Sequence, residues 1–86
     1  MERFEPGMFV WSRAGHDNGQ LYVILRVEGE YLFLTDGRLK PIEKPKKKKK
    51  KHVQVVRQIV PELQNMSEII IKNEDIRRII RRFANV

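Results

Sequence analysis

Six consecutive lysines, Lys46, Lys47, Lys48, Lys49, Lys50 and Lys51, lie in the middle of an 86-residue chain with apolar sequence on both sides. Their chemistry is that of point charges: an ammonium neutralises a phosphate, releases a counterion and reads no base. An extended run of six spans about 20 Å and points successive side chains to opposite sides, so a flat surface meets only half of them; a mobile run turns most of them toward one backbone. Arg38, Lys40 and Lys44 lead into the run, and His52 and Arg57 follow it. Residues 38–57 hold ten basic residues and one acid, Glu43, while the rest of the chain holds eight bases and ten acids. The net charge of +7 is therefore a basic band on a nearly neutral body. Such a field attracts nucleic acid first, and other polyanions or an anionic membrane surface after it. Six neighbouring lysines repel one another, so a polyanion partner explains them better than a solvated loop that only aids solubility.

A second group of polar residues lies in "RAGHDNGQ", Arg13 to Gln20. Arg13 can pair with a phosphate or stack on a base, and Asn18 can bond an exposed base edge or serve the turn itself. His16 and Gln20 complete the polar surface of this loop. Gly15 and Gly19, with Asp17 between them, shape it. His52 reads as a plain surface histidine rather than a proton switch.

Catalytic constellations are missing. His16 and His52 lack metal-ligand spacing, and no phosphate-loop or dinucleotide fingerprint occurs. "GHDNG" holds a His-Asp pair, but adjacent loop residues rarely aim at one reacting atom, and Ser12 is the nearby hydroxyl. His16 and Asp17 have no further close ligands for a metal. The chain has no cysteine, which excludes disulfides and cysteine-ligated zinc. The expectation is a non-enzyme without a cofactor, metal or small-molecule substrate.

The elements that position these residues are short. Glu5-Pro6-Gly7 reads as a turn, "MFVWS" (8–12), "LYVILRV" (21–27) and "YLFLT" (31–35) as strands, and "EGE" as the turn between the last two. Asp36-Gly37 is the strongest short hairpin signal, passing into "RLKPI" as a brief strand that Pro41 confines to an edge or bulge. "HVQVVRQIV" has strand character up to Pro61, "ELQNMSE" is a polar link, and "IIIK" is either a last strand or the approach to a helix. "NEDIRRIIRRFANV" predicts an amphipathic helix: Asn73 suits the N-cap, Glu74 and Asp75 suit the dipole, and Ile76, Ile79, Ile80 and Phe83 share one face. Arg77, Arg78, Arg81 and Arg82 occupy the opposite arc. Strands this few and short suggest a small bent barrel under a helix, with residues 1–60 as the β domain, including the lysine-rich segment 44–52, and 61–86 as link and helix. No apolar stretch approaches the roughly 20 residues of a membrane span, and "MERFEPGMFVW" lacks the pattern of a signal peptide, so a cytoplasmic protein is expected.

Gly7, Val10, Gly15, Asp17 and Gly19 in "GMFVWSRAGHDNG" match the pattern of the KOW motif, and the order "SRAGHDNG … ILRV … LTDGRLKPIEKPKKKKKKH" resembles small bacterial KOW-domain RNA-binding proteins related to eukaryotic and archaeal large-subunit ribosomal proteins. The likeness covers roughly residues 5–54, with a weaker one in the terminal "NEDIRRIIRRF". It implies a mainly β, SH3-like barrel, RNA binding by the first loop and its neighbours, and association with ribosomal RNA or the ribosome in translation. His16 and Asn18 stand where that motif often has Lys or Arg. The match points Val10 inward, which leaves Trp11 outside, to stack on a splayed base or to lie under the helix. Gly37 and the loop glycines take structural roles. The expected function is accordingly a non-catalytic RNA-binding protein. The alternative is a protein-interaction module using the barrel and the basic helix; duplex DNA is a further candidate ligand.

Overall fold

The computed structural model describes residues 3–56, 63 and 71–84. Within them the order is β1 (Phe9–Ser12), β2 (Leu21–Glu28), β3 (Tyr31–Thr35), β4 (Lys46–Lys49), a 3₁₀ turn (Lys50–His52), β5 (Val53–Val56) and α1 (Asn73–Ala84). The first three strands fall where alternation and β-branched content place them. Glu28 pairs with Tyr31 around a two-residue turn. The expected strand continuation through 57–60 and the link 61–62 and 64–70 lie outside the described residues, as do Ile69 and Ile70 of "IIIK".

The strands form one antiparallel sheet in the order β4-β3-β2-β1-β5. This corrects the expected SH3-like barrel. The sheet is open: among the described residues β4 and β5 are its two edges, and no ladder joins them. The chain passes from one edge strand to the other through Lys50–His52, and that crossing uses its backbone groups elsewhere. Lys50 N–H donates to Glu30 O at 2.9 Å, and His52 O accepts from Arg13 N–H at 2.8 Å. The architecture is mixed, an open five-stranded sheet with one C-terminal helix.

Two further expectations are corrected. Asp36-Gly37 does not make a tight two-residue turn but begins the ten-residue connection 36–45 between the antiparallel strands β3 and β4, and "RLKPI" is not a strand. Asp36 Oδ1 accepts from both Arg38 N–H and Lys40 N–H, each at 2.8 Å. Thr35 Oγ1 donates to Lys40 O at 2.7 Å and accepts from Gly37 N–H. These side chains satisfy backbone groups that a ladder would otherwise take. Gly37, at φ 74°, lets the connection touch the helix: a Cβ there would sit 2.5 Å from Asn73 O. The second correction concerns the helix start. The Asn73 side chain does not cap its own helix; its Oδ1 accepts from Ile42 N–H and its Nδ2 donates to Glu43. The cap is Lys72, whose carbonyl accepts from Ile76 N–H and whose N–H donates to Asp75 Oδ2.

Apolar residues bury on both sides of β1 and β2. On one side Phe9, Leu21, Val23 and Leu63 pack against Ile76 and Ile79 of α1, with Ile80 and Phe83 beside them. The Phe9 and Phe83 rings stack at 4.5 Å. On the other, Val10, Tyr22, Ile24, Leu32, Leu34 and Val55 form a second cluster. Alternation then fixes β3: Leu32 and Leu34 turn into the second cluster, so Tyr31 and Phe33 turn away from it. Among the described residues no helix is long and apolar enough to cross a membrane.

Candidate nucleic-acid interface

Lys46–Lys49 form strand β4, so the lysine run is part of the sheet rather than a tail. Its register gives each lysine a different environment. Lys46 pairs with Leu34, Lys47 with Phe33, Lys48 with Leu32 and Lys49 with Tyr31. Lys46 and Lys48 therefore share the side of the buried leucines, and Lys47 and Lys49 share the side of the two aromatics.

Lys48 is buried, with its side chain 9% exposed. Its ammonium donates to Ala14 O at 2.9 Å and to Asp17 Oδ1 at 3.0 Å. Lys46 Nζ lies 3.4 Å from Asp17 Oδ2. Ser12 Oγ donates to Asp17 Oδ1 at 2.9 Å, and Tyr22 OH to Asp17 Oδ2 at 3.3 Å. The carboxylate is thus the hub joining the end of β1, the first loop, β2 and β4. Burial alone would raise its pKa; hydrogen bonds from Lys48 and Ser12, with the charges of Lys48 and Lys46, outweigh it and hold Asp17 at about 2. The Tyr22 phenol is pushed up to about 12, by burial first and then by the charges of Asp17 and Asp36 and its bond to Asp17. Among the described residues no buried side-chain polar atom lacks a partner. Two of the six lysines therefore hold the loop to the sheet, and the buried Lys48 is not available to a ligand.

The opposite side of β4 is open. Lys47 and Lys49 are exposed, and Tyr31 and Phe33 are half-buried beside them. Arg26 and Glu28 of β2, paired with Phe33 and Tyr31, complete the face and bond to each other. The Arg26 guanidinium lies 3.9 Å from the Phe33 ring centroid, and Lys47 Nζ lies 4.3 Å from that of Tyr31. Lys50 stands 5.5 Å over the Phe4 ring, and Lys51 is exposed in the crossing. Arg26, Tyr31 and Phe33 escaped the sequence reading as site residues. The signal was available in "YLFLT": once Leu32 and Leu34 face inward, their neighbours must face out.

The other anticipated residues are spread out. Arg13, His16, Asn18 and Gln20 are exposed on the first loop. That loop closes through Ser12 N–H to Gln20 O, Gly19 N–H to Ser12 O and Asn18 N–H to Gly15 O. Gly15 and Gly19 both have positive φ, and Gly7 approaches the Leu63 carbonyl. Trp11 is partly buried against the helix-side cluster. Arg38 and Lys40 belong to the connection that docks on α1, and Lys44 is exposed near its end. His52 is half-buried in the crossing, and Arg57 lies outside the described residues. Among the described residues no three His, Asp or Glu side chains form a metal-binding group.

No family model matches the chain, and no curated protein matches it. The resemblance to KOW-domain proteins is therefore withdrawn, and the ribosomal and translational expectations that it carried go with it. Gly15, Gly19 and Asp17 have a local explanation: they build a tight loop around one part-buried carboxylate.

Proposed function

We propose that this protein is a non-catalytic, cytoplasmic RNA-binding protein that holds the phosphate backbone along its β4 edge. The observation that carries the reading is the split of the lysine run: Lys47 and Lys49 project together from one face of an edge strand, and Lys51 continues the charge past its end. Lysines fixed by a ladder present charge at a spacing of about 7 Å, every second residue, without the entropy cost of ordering a free tail. They supply affinity without sequence choice.

The test replaces Lys47, Lys49 and Lys51 together by Gln and measures binding of a labelled oligouridine by fluorescence anisotropy over a series of salt concentrations. Affinity should fall, and the log–log salt slope should drop by about 2, about 0.7 for each lost phosphate contact. Unchanged affinity and slope would end this reading, because the RNA would then be held by a surface other than the β4 edge.

A further inference from the structure

We infer that the outer face of β3 stacks two neighbouring bases of a single strand, one on Tyr31 and one on Phe33, while the backbone of that strand follows β4. This rests on the backbone-binding reading above and adds the class of nucleic acid it accepts.

The spacing selects the ligand. Tyr31 and Phe33 are two apart on one strand, so their rings project from the same side about 7 Å apart. Successive bases in a duplex are about 3.4 Å apart along each strand. Two adjacent duplex bases cannot lie one on each ring, and a stretched, unstacked strand can. The α1 cluster covers β1 and the start of β2, where Phe9, Leu21 and Val23 pack. Neither ring belongs to that cluster or to the one on the opposite side. Both remain half-exposed, beside the exposed Arg26, Lys47 and Lys49.

Charge places the backbone. Lys47 and Lys49 flank the rings on the β4 side, and Glu28 flanks Tyr31 on the β2 side, where its bond to Arg26 offsets part of the positive charge. A phosphate chain is therefore favoured along β4 and disfavoured at the β2–β3 turn. The bases then point across β3. Each ring already holds a cation against its face, Arg26 on Phe33 and Lys47 on Tyr31. A base takes the same π-face, and Lys47, once displaced, stands beside the incoming phosphate. Cation and base thus exchange places.

The experiment compares oligouridine, a base-free oligomer of abasic deoxyribose phosphate of equal length, and a duplex RNA. The proteins are the wild type, Tyr31→Leu/Phe33→Leu, and Lys47→Gln/Lys49→Gln. The aromatic variant should lose about tenfold in oligouridine affinity per ring and change little toward the abasic oligomer. The lysine variant should weaken both. In wild-type NMR spectra, the ring signals of Tyr31 and Phe33 should shift with oligouridine and stay in place with the abasic oligomer, a readout that does not depend on a variant folding. If the aromatic variant binds oligouridine as the wild type does, or duplex RNA competes equally at equal charge, stacking is refuted while backbone binding survives. If the wild type binds neither oligomer at low salt, both readings fall.

Discussion

The two sides of β4 consist of the same amino acid and do opposite things. On the inner side Lys48 and Lys46 converge on Asp17, with their stems beside Leu32 and Leu34. On the outer side Lys47 and Lys49 stand in solvent next to two aromatic rings. Residue type cannot account for the difference; strand parity does. An inward lysine gives up its hydration and regains it through a carboxylate and a carbonyl, whereas an outward lysine keeps its water until a ligand arrives. The comparison teaches that the charge of a homopolymeric run overstates what it can offer a partner.

The largest blow to this division comes from removing the hub. Asp17→Ala leaves the Lys48 ammonium buried and unpaired, and should cost about 3–5 kcal/mol in urea denaturation, enough to unfold much of a domain this small. Lys48→Met keeps the stem and removes the charge. Because Asp17 retains Ser12, Tyr22 and Lys46, that change should cost only about 1 kcal/mol. Equal losses in the two variants would mean that the inner side is held by packing rather than by the ion pair.

Gly37→Ala comes next. A methyl group at φ 74° and 2.5 Å from Asn73 O must push the β3–β4 connection off α1. About 2 kcal/mol of stability should be lost in thermal unfolding.

Acid acts on the inner side through Asp17. Asp17 has a folded pKa of about 2 against an ordinary 3.8, so its contribution is complete above pH 4 and disappears as the pH falls through 2. That corresponds to about 2 kcal/mol, visible as a falling melting temperature over that window and absent from Asp17→Asn. The Tyr22 phenol has the opposite sign. Its folded pKa of about 12 lies above the ordinary 10, so its contribution is complete below pH 10 and is lost as the pH rises toward 12.

The smallest effect on stability belongs to the outer side. Lys47→Gln/Lys49→Gln should change unfolding free energy by less than about 0.5 kcal/mol, and relief of mutual repulsion can make the change favourable. A large destabilisation would erase the distinction between the two sides.

Much of the scaffold was legible in the sequence. β1, β2 and β3 announce themselves by β-branched and aromatic content, and Ile76, Ile79, Ile80 and Phe83 recur at helical spacing. What was not legible depended on partners distant in sequence. A lysine run has no apolar alternation, so neither its strand state nor its inward side can be read from it; both come from β3 and from Asp17, about thirty residues upstream. Asn73 looked like a cap because its type suits one, but its side chain serves Ile42 and Glu43 instead. Asp36-Gly37 carried a strong turn signal, yet the same two residues suit a connection pressed against a helix. Trp11 drew attention because the motif match pointed Val10 inward, while Tyr31 and Phe33, which flank the open lysines, looked ordinary.

The ladder between β3 and β4 has an unusual symmetry. Sliding the strand by two residues puts one lysine where another had been, so its own side chains carry no label for the correct seating. The labels sit at the ends: Pro45, with no N–H to give, and the three-residue crossing whose backbone is held by Glu30 and Arg13. Lengthening the run by a pair of lysines would keep every inner and outer place filled with the same chemistry and push the slack into that crossing.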